Sequence, residues 1–388
     1  MHMKQRVFLF LFGAAFLIPT VVDAAPVKAT MEVSGWIPYW REVEGTADVI
    51  GRLDYVTTIH PFGYTFTEDG ILNDAMGIAD EPWKTLIAEA KKKKVRVIPT
   101  IMSGNGELLH RILSNSKTRI ALEDEIAALV KREGFDGIDI DFEAKLAETK
   151  PYFSLFLKGL YQRMGNKWVY CTIESRTPLD SRYEGTPPQN AGIYANDFVQ
   201  INKYCDRVQI MAYDQGSIDV KLNALGGPYV PVADAAWVEK VMKLAAKTIS
   251  KRKLVLGIPT YGYEYGVTPL SVSGYRYERK WAFNQKYALD LAAQYGVVPS
   301  RNRAGEMSFS YIPVQQTTPS VVGVPVESQA VGPAVAAQQP FNIVWWSDAI
   351  AVAQKMAIAK KLGLRGVAIF KFDGGEDQRI WDTLQNGL

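Results

Sequence analysis

The sequence predicts a closed (β/α)8 barrel, and three observations carry that prediction. Eight segments are rich in β-branched and aromatic residues, segments of helical period lie between them, and the strand-like runs are apolar almost end to end. A strand with little polar alternation is buried on both faces, which implies a parallel sheet covered by helices. An open doubly wound sheet is the alternative.

The elements follow in order. VSGWIPYW (33–40) and YVTTIHPFGY (55–64) are the first two strands. Pro82 then leads the helix WKTLIAEAKKKK, whose Lys91–Lys94 run sits at the negative end of the helix dipole and reads as a solvated helix end. VRVIPTIMSG (95–104) is the third strand; Asn115 or Ser116 caps the next helix, KTRIALEDEIAALVKRE, and Gly134 closes it. GIDIDFE (137–143), WVYCTIES (168–175) and RVQIMAYD (207–214) are strands four to six, and a helix over 233–250 leads to KLVLGIPTYG (253–262). A final helix over 347–363 ends on Gly363 before the eighth strand, GVAIFKF (366–372).

About 80 residues, 263–342, interrupt this rhythm after strand seven. They hold a helical piece near 283–295, the strand-like MSFSYI (307–312), and a Pro/Val/Ala/Gln-rich stretch expected to be a flexible loop, 313–340. The insertion is expected at the end of the barrel where active sites sit.

At the N-terminus Lys4 and Arg6 precede an apolar run from Val7 to Val22, followed by Asp23, Ala24 and Ala25. This reads as a secretory signal, 1–24, leaving a catalytic barrel over 25–388 that is exported and free of the membrane. Export would permit a bridge between the two cysteines, Cys171 and Cys205, but their spacing leaves the pairing open. His60 and His110 are isolated and no C-x-x-C occurs, so neither a metal nor another cofactor is expected. With 44 basic against 41 acidic residues, nothing suggests a nucleic-acid partner, and a monomer is expected.

The stretch DGIDIDFE, 136–143, is the unusual one. Side chains alternate across a strand, so Ile138, Ile140 and Phe142 face the helices while Asp139, Asp141 and Glu143 face the barrel interior, spaced about 6.6 Å per two residues. Glu143, last in the row, falls at the C-terminal mouth. Like charge and desolvation both raise carboxyl pKa values, so the row retains a proton near neutrality, as a general acid requires. A calcium loop would instead place its acids in Gly-containing turns.

The chain resembles glycoside hydrolase family 18, the chitinase-type family. Its fourth-strand motif D-G-x-D-x-D-x-E is complete in Asp136, Gly137, Asp139, Asp141 and Glu143. VQIMAYDQ is similar to the family's M-x-Y-D segment through Met211, Tyr213 and Asp214, and GIPTYGY (257–263) to its strand-seven G-x-P-x-Y-G. Val344 to Asp377 is similar to its last helix and eighth strand. The wording around MAYDQ and PTYGYEY is closer to the bacterial cell-wall and spore-lytic branch.

The resemblance implies a retaining, substrate-assisted hydrolase of N-acetylglucosamine-containing polymers, chitin or peptidoglycan. Glu143 would be the acid, Asp141 would hold the substrate acetamido group, Asp139 would share charge or a proton with Asp141, and Tyr213 would donate to the acetamido oxygen beside Asp214. Trp36, Trp40 and Phe62 are candidate sugar platforms, with core packing the alternative for each. Phe370 stands where the family usually places Trp, which offers a smaller stacking face. The competing expectation is a non-catalytic, lectin-like barrel of the same family, although such members usually lack one of the acids that this chain keeps.

Overall fold

The structure is a computed structural model that describes residues 31–270, 274–313 and 339–385. The expected signal peptide lies outside the described residues, and so does all but the ends of the loop expected over 313–340.

Eight parallel strands close into a ring: β1 (Glu32–Pro38), β2 (Thr58–Phe66), β3 (Thr100–Ser103), β4 (Gly137–Phe142), β5 (Trp168–Glu174), β6 (Arg207–Met211), β7 (Leu254–Pro259) and β8 (Gly366–Phe370). Each pairs with its sequence neighbour, and β1 pairs with both β2 and β8, so no edge is left open. The expected third strand is divided. A two-residue piece, Arg96–Val97, pairs with β2 before β3 begins, and Pro99 between them lacks an N–H for the ladder.

The helices stop and start where the side chains dictate. Asn115 accepts from the Lys117 N–H at 2.9 Å to open Ser116–Glu133, and Gly134 ends it at φ 67°. Asp348 caps Ala349–Leu362 by accepting the Ala351 N–H at 3.0 Å. Phe142 on β4 stacks on Phe156 of the helix Lys150–Met164, with ring centroids 5.5 Å apart. The apolar set of the acidic strand therefore faces outward, as its alternation requires.

After β7 the chain builds a five-stranded antiparallel sheet in the order Tyr275–Phe283, Gly262–Pro269, Phe341–Trp346, Met307–Tyr311, Ser300–Arg301. Alternation again sets the two faces: Val344 and Trp346 pack with Phe283, Ala288 and Phe309, while Ile343 and Trp345 pack with Tyr229 and Val267. The sheet extends to Trp346, so Val344–Trp346 are insertion residues and precede the last helix.

Cys171 on β5 and Cys205, just beyond the helix Phe198–Tyr204, form a disulfide. Closing a loop of 34 residues is worth about 3–4 kcal/mol in the chain-entropy account.

Candidate active site

The site is built around β4. Asp139 is fully buried, and its two oxygens take three donors: the Trp36 indole N–H at 3.1 Å, the Thr100 hydroxyl at 2.7 Å and the Thr172 hydroxyl at 2.8 Å. Gln209 donates to Thr172 at 3.2 Å and accepts from Ser34 at 3.2 Å, so residues of β1, β3, β5 and β6 lock the deepest acid of the row. Such a carboxylate is a fixed, satisfied acceptor.

Asp141, one step higher, is also buried, but one of its oxygens has no hydrogen-bond partner. Burial, then Glu143 and Asp139, push its pKa well above the ordinary carboxylate range. Glu143 is half-buried at the mouth, where burial, then Glu174 and Asp214, raise its pKa while Lys145 opposes them. Both shifts favour the protonated form, and they belong to the coupled acids together.

Tyr213 lies against this row. Its ring stacks on Phe370 at 5.7 Å, and burial, then Asp141, keep its hydroxyl protonated and able to donate. Asp214 sits at φ 56° with one oxygen accepting from the Tyr261 and Tyr263 hydroxyls at 2.5 and 2.8 Å. Gly257 explains how Tyr213 fits: a Cβ there would lie 2.5 Å from the Ile210 carbonyl and 3.0 Å from the Tyr213 ring. Met211 ends β6 in register with Glu174 and is partly buried against the core.

The first two motif residues do a different task. Asp136 accepts the Val97 N–H at 2.8 Å, and a Cβ on Gly137 would lie 2.3 Å from the Trp168 carbonyl. Both set strand packing at the lower end of β4 and stand apart from the mouth.

The expected aromatic platforms divide. Trp40 is 49% exposed, whereas Trp36 and Phe62 are 1% and 5% exposed. Trp36 spends its indole N–H on Asp139, which corrects its assignment: it supports the acids and has no open face. Phe62 meets Trp40 edge-on at 5.7 Å and backs it from below. A cleft of about 770 Å³ runs from Asp214 and Phe370 past Trp40, Tyr261, Tyr263 and Trp281.

Several of these residues were not anticipated. Trp281, 54% exposed, reaches the cleft from the insertion, a placement with no local signal in the sequence. Tyr261 and Tyr263 lie in a segment already singled out, and their alternation around Gly262 could have marked them. Lys145 and Glu174 act on Glu143, and Asn196 holds Glu174, through contacts between the end of β5 and segments distant from it in the sequence. Among the described residues no group of three or more His, Cys, Asp or Glu side chains is arranged to hold a metal ion.

The model of the glycosyl hydrolases family 18 matches residues 36–375. An uncharacterised glycosylase of Bacillus subtilis, YvbX, is 25% identical over 342 residues, covering 86% of this chain and 85% of that protein. The spore cortex-lytic enzyme SleL of Bacillus megaterium shares the fold with a TM-score of 0.67 at 21% identity, covering 94% of this chain and 75% of that one. A chitinase from Chromobacterium violaceum gives a TM-score of 0.67 at 19% identity, covering 92% and 98%. With a complete acidic row on β4 and a family match over most of its length, this chain is a glycosidase and belongs to family 18 of the glycosyl hydrolases.

Proposed function

We propose that the protein is an exported retaining hydrolase that cleaves β-1,4 linkages of N-acetylglucosamine-containing polymers with the help of the substrate's own 2-acetamido group. The observation that carries this reading is the position of Asp141: buried, with one oxygen free of hydrogen-bond partners, between an Asp139 that already takes three donors and Glu143 at the mouth. Carboxylates that are neighbours on one strand are poorly placed to attack from the face opposite their acid. Asp214 and Glu174, which approach Glu143 from other strands, are engaged by two tyrosines and by the Asn196 amide with the Ala144 N–H.

In this mechanism Glu143 gives its proton to the glycosidic oxygen as the bond from that oxygen to the anomeric carbon breaks. The acetamido oxygen bonds to the same carbon, forming an oxazolinium ion. Asp141 accepts the acetamido N–H through its free oxygen and balances the positive charge, and Tyr213 donates to the acetamido oxygen to aim it. Glu143, now a carboxylate, takes a proton from water as that water opens the ring, so the configuration is retained and the acid is restored. Trp40, Trp281 and Phe370 give sugar rings apolar faces along the cleft.

The named activities of the relatives, a cortex-lytic enzyme and a chitinase, favour peptidoglycan or chitin as the polymer. The Cys171–Cys205 bridge favours an oxidising compartment and so supports export. The test is mass spectrometry of products released from chitooligosaccharides and from peptidoglycan. Cleaved fragments from at least one polymer, absent with Glu143→Gln, support the reading. Binding without cleavage would replace it with the lectin-like alternative.

A further inference from the structure

Just past Glu143 the chain turns sharply. The Glu143 N–H still pairs with the Ser103 carbonyl at 2.8 Å, but Ala144 adopts φ 51°, a left-handed conformation that costs a residue with a Cβ about 1 kcal/mol. The Glu174 carboxylate stabilises this turn by accepting the Ala144 N–H at 2.7 Å. Asn196 fixes the other Glu174 oxygen, donating at 2.7 Å. Lys145 then folds back under the turn with no exposed side-chain area, its ammonium 3.6 Å from Glu174, bonded to the Phe142 carbonyl and 4.7 Å over the Phe153 ring.

A lysine is rarely buried unless a charge requires it. Here the ammonium is 3.6 Å from Glu174 and two residues along the chain from Glu143, and the charges of Glu174, Asp141 and Glu143 are what oppose the effect of burial on it. Glu143 in turn is subject to the charges of Glu174 at the end of β5, Asp214 just beyond β6 and Lys145 in the turn, and it acts on Asp141 of its own strand. A family 18 acid must alternate between carrying a proton and being a carboxylate in one turnover, so a nearby positive charge matters most in the half-cycle when the proton has left.

We propose that Lys145, anchored by Glu174, is a built-in countercharge for Glu143 that stabilises the carboxylate formed when the acid gives up its proton. Lys145 and Glu174 are positioning residues: Lys145 is buried on Glu174, the Phe142 carbonyl and Phe153, Glu174 is held by Ala144 and Asn196, and each acts on the reaction through the proton affinity of Glu143. The pair works as opposed controls, Glu174 favouring the protonated acid and Lys145 the ionised base. This rests on the reading of Glu143 as the acid, so its test is chosen to need no substrate.

The experiment is carbon-13 NMR titration of the Glu143 carboxyl in the full chain, assigned by the loss of its resonance in Glu143→Gln. Lys145→Met is expected to raise the Glu143 midpoint by about one pH unit, and Glu174→Gln to lower it by a similar amount. Lys145→Arg keeps the charge and should stay within about 0.3 unit of the native value. A midpoint unmoved by Lys145→Met, or moved the same way by both neutralising variants, overturns the proposal. If Lys145→Met does not fold, Glu174→Gln decides alone, and an unchanged or raised midpoint overturns it. A chain without glycosidase activity would still give this titration, which separates failure here from failure of the functional reading.

Discussion

The two ends of the barrel bury carboxylates in opposite company. At the N-terminal end Glu32, the first residue of β1, takes Arg207 in a bidentate pair at 2.6 and 2.8 Å, Arg365 at 2.8 Å and Arg96 at 3.2 Å. Burial alone would push its pKa up, yet Arg207 and Arg365, with Arg96 beyond, hold it at about 2. At the C-terminal mouth Asp141, Glu143 and Glu174 share one cation, Lys145, Asp214 adds its charge beside Glu143, and the pKa values of Asp141 and Glu143 rise. One end gathers cations to keep a charge buried; the other gathers acids to keep a proton available. The first arrangement stabilises the fold, and the second uses stability to prepare chemistry.

The widest separation of the two ends is a pair of single substitutions. Glu143→Gln is expected to cut turnover by about 10³-fold without lowering the melting temperature. Glu32→Gln should do the reverse, costing about 3 kcal/mol in denaturant unfolding because three arginines lose their partner, with turnover per folded molecule unchanged. A loss of turnover in folded Glu32→Gln protein would break the division.

The pH dependence of stability sharpens it further. Glu32 has a depressed folded pKa, so its contribution is fully present above its unfolded value near 4.5 and is lost as pH falls toward about 2. A shift of that size corresponds to about 3 kcal/mol. Asp141 and Glu143 have raised folded values, so their contribution has the opposite sign: it is present below the unfolded value and is lost as pH rises through the folded one. Melting temperature measured against pH should therefore lose its acid-side slope in Glu32→Gln and part of its alkaline-side slope in Asp141→Asn.

The smallest effect comes from Asp141→Asn itself. Removing a buried acid that like charges oppose should raise the melting temperature at pH 8 by about 1–3 °C, even as it removes activity. A lower melting temperature would mean that Asp141 is held by structural contacts after all.

Much of the mouth was legible because alternation along one strand decides it: once Ile138, Ile140 and Phe142 must meet helices, Asp139, Asp141 and Glu143 have one direction left. The lower end had no such signal. Glu32, Arg96, Arg207 and Arg365 are far apart in the sequence and meet where strands begin, so their pairing depends on barrel closure. The same limit hid the Lys145–Glu174 pair, which needs the left-handed turn at Ala144, and left the Cys171–Cys205 pairing open. Trp36 misled for a related reason, since an aromatic residue near a strand end can face a cleft or the floor beneath it. The residues at the edges of β3 show a local rule at work, because Pro99 breaks the strand by its missing N–H.

The central claim is that the acids of β4 supply one proton while the sugar supplies its own nucleophile. Proton NMR of the reducing end newly released from a β-1,4-linked N-acetylglucosamine oligomer tests this most directly. The β anomer is expected to appear first and mutarotate afterwards, and release should fall by about 10³-fold with Glu143→Gln. Initial release of the α anomer, or undiminished release by that variant, would contradict it.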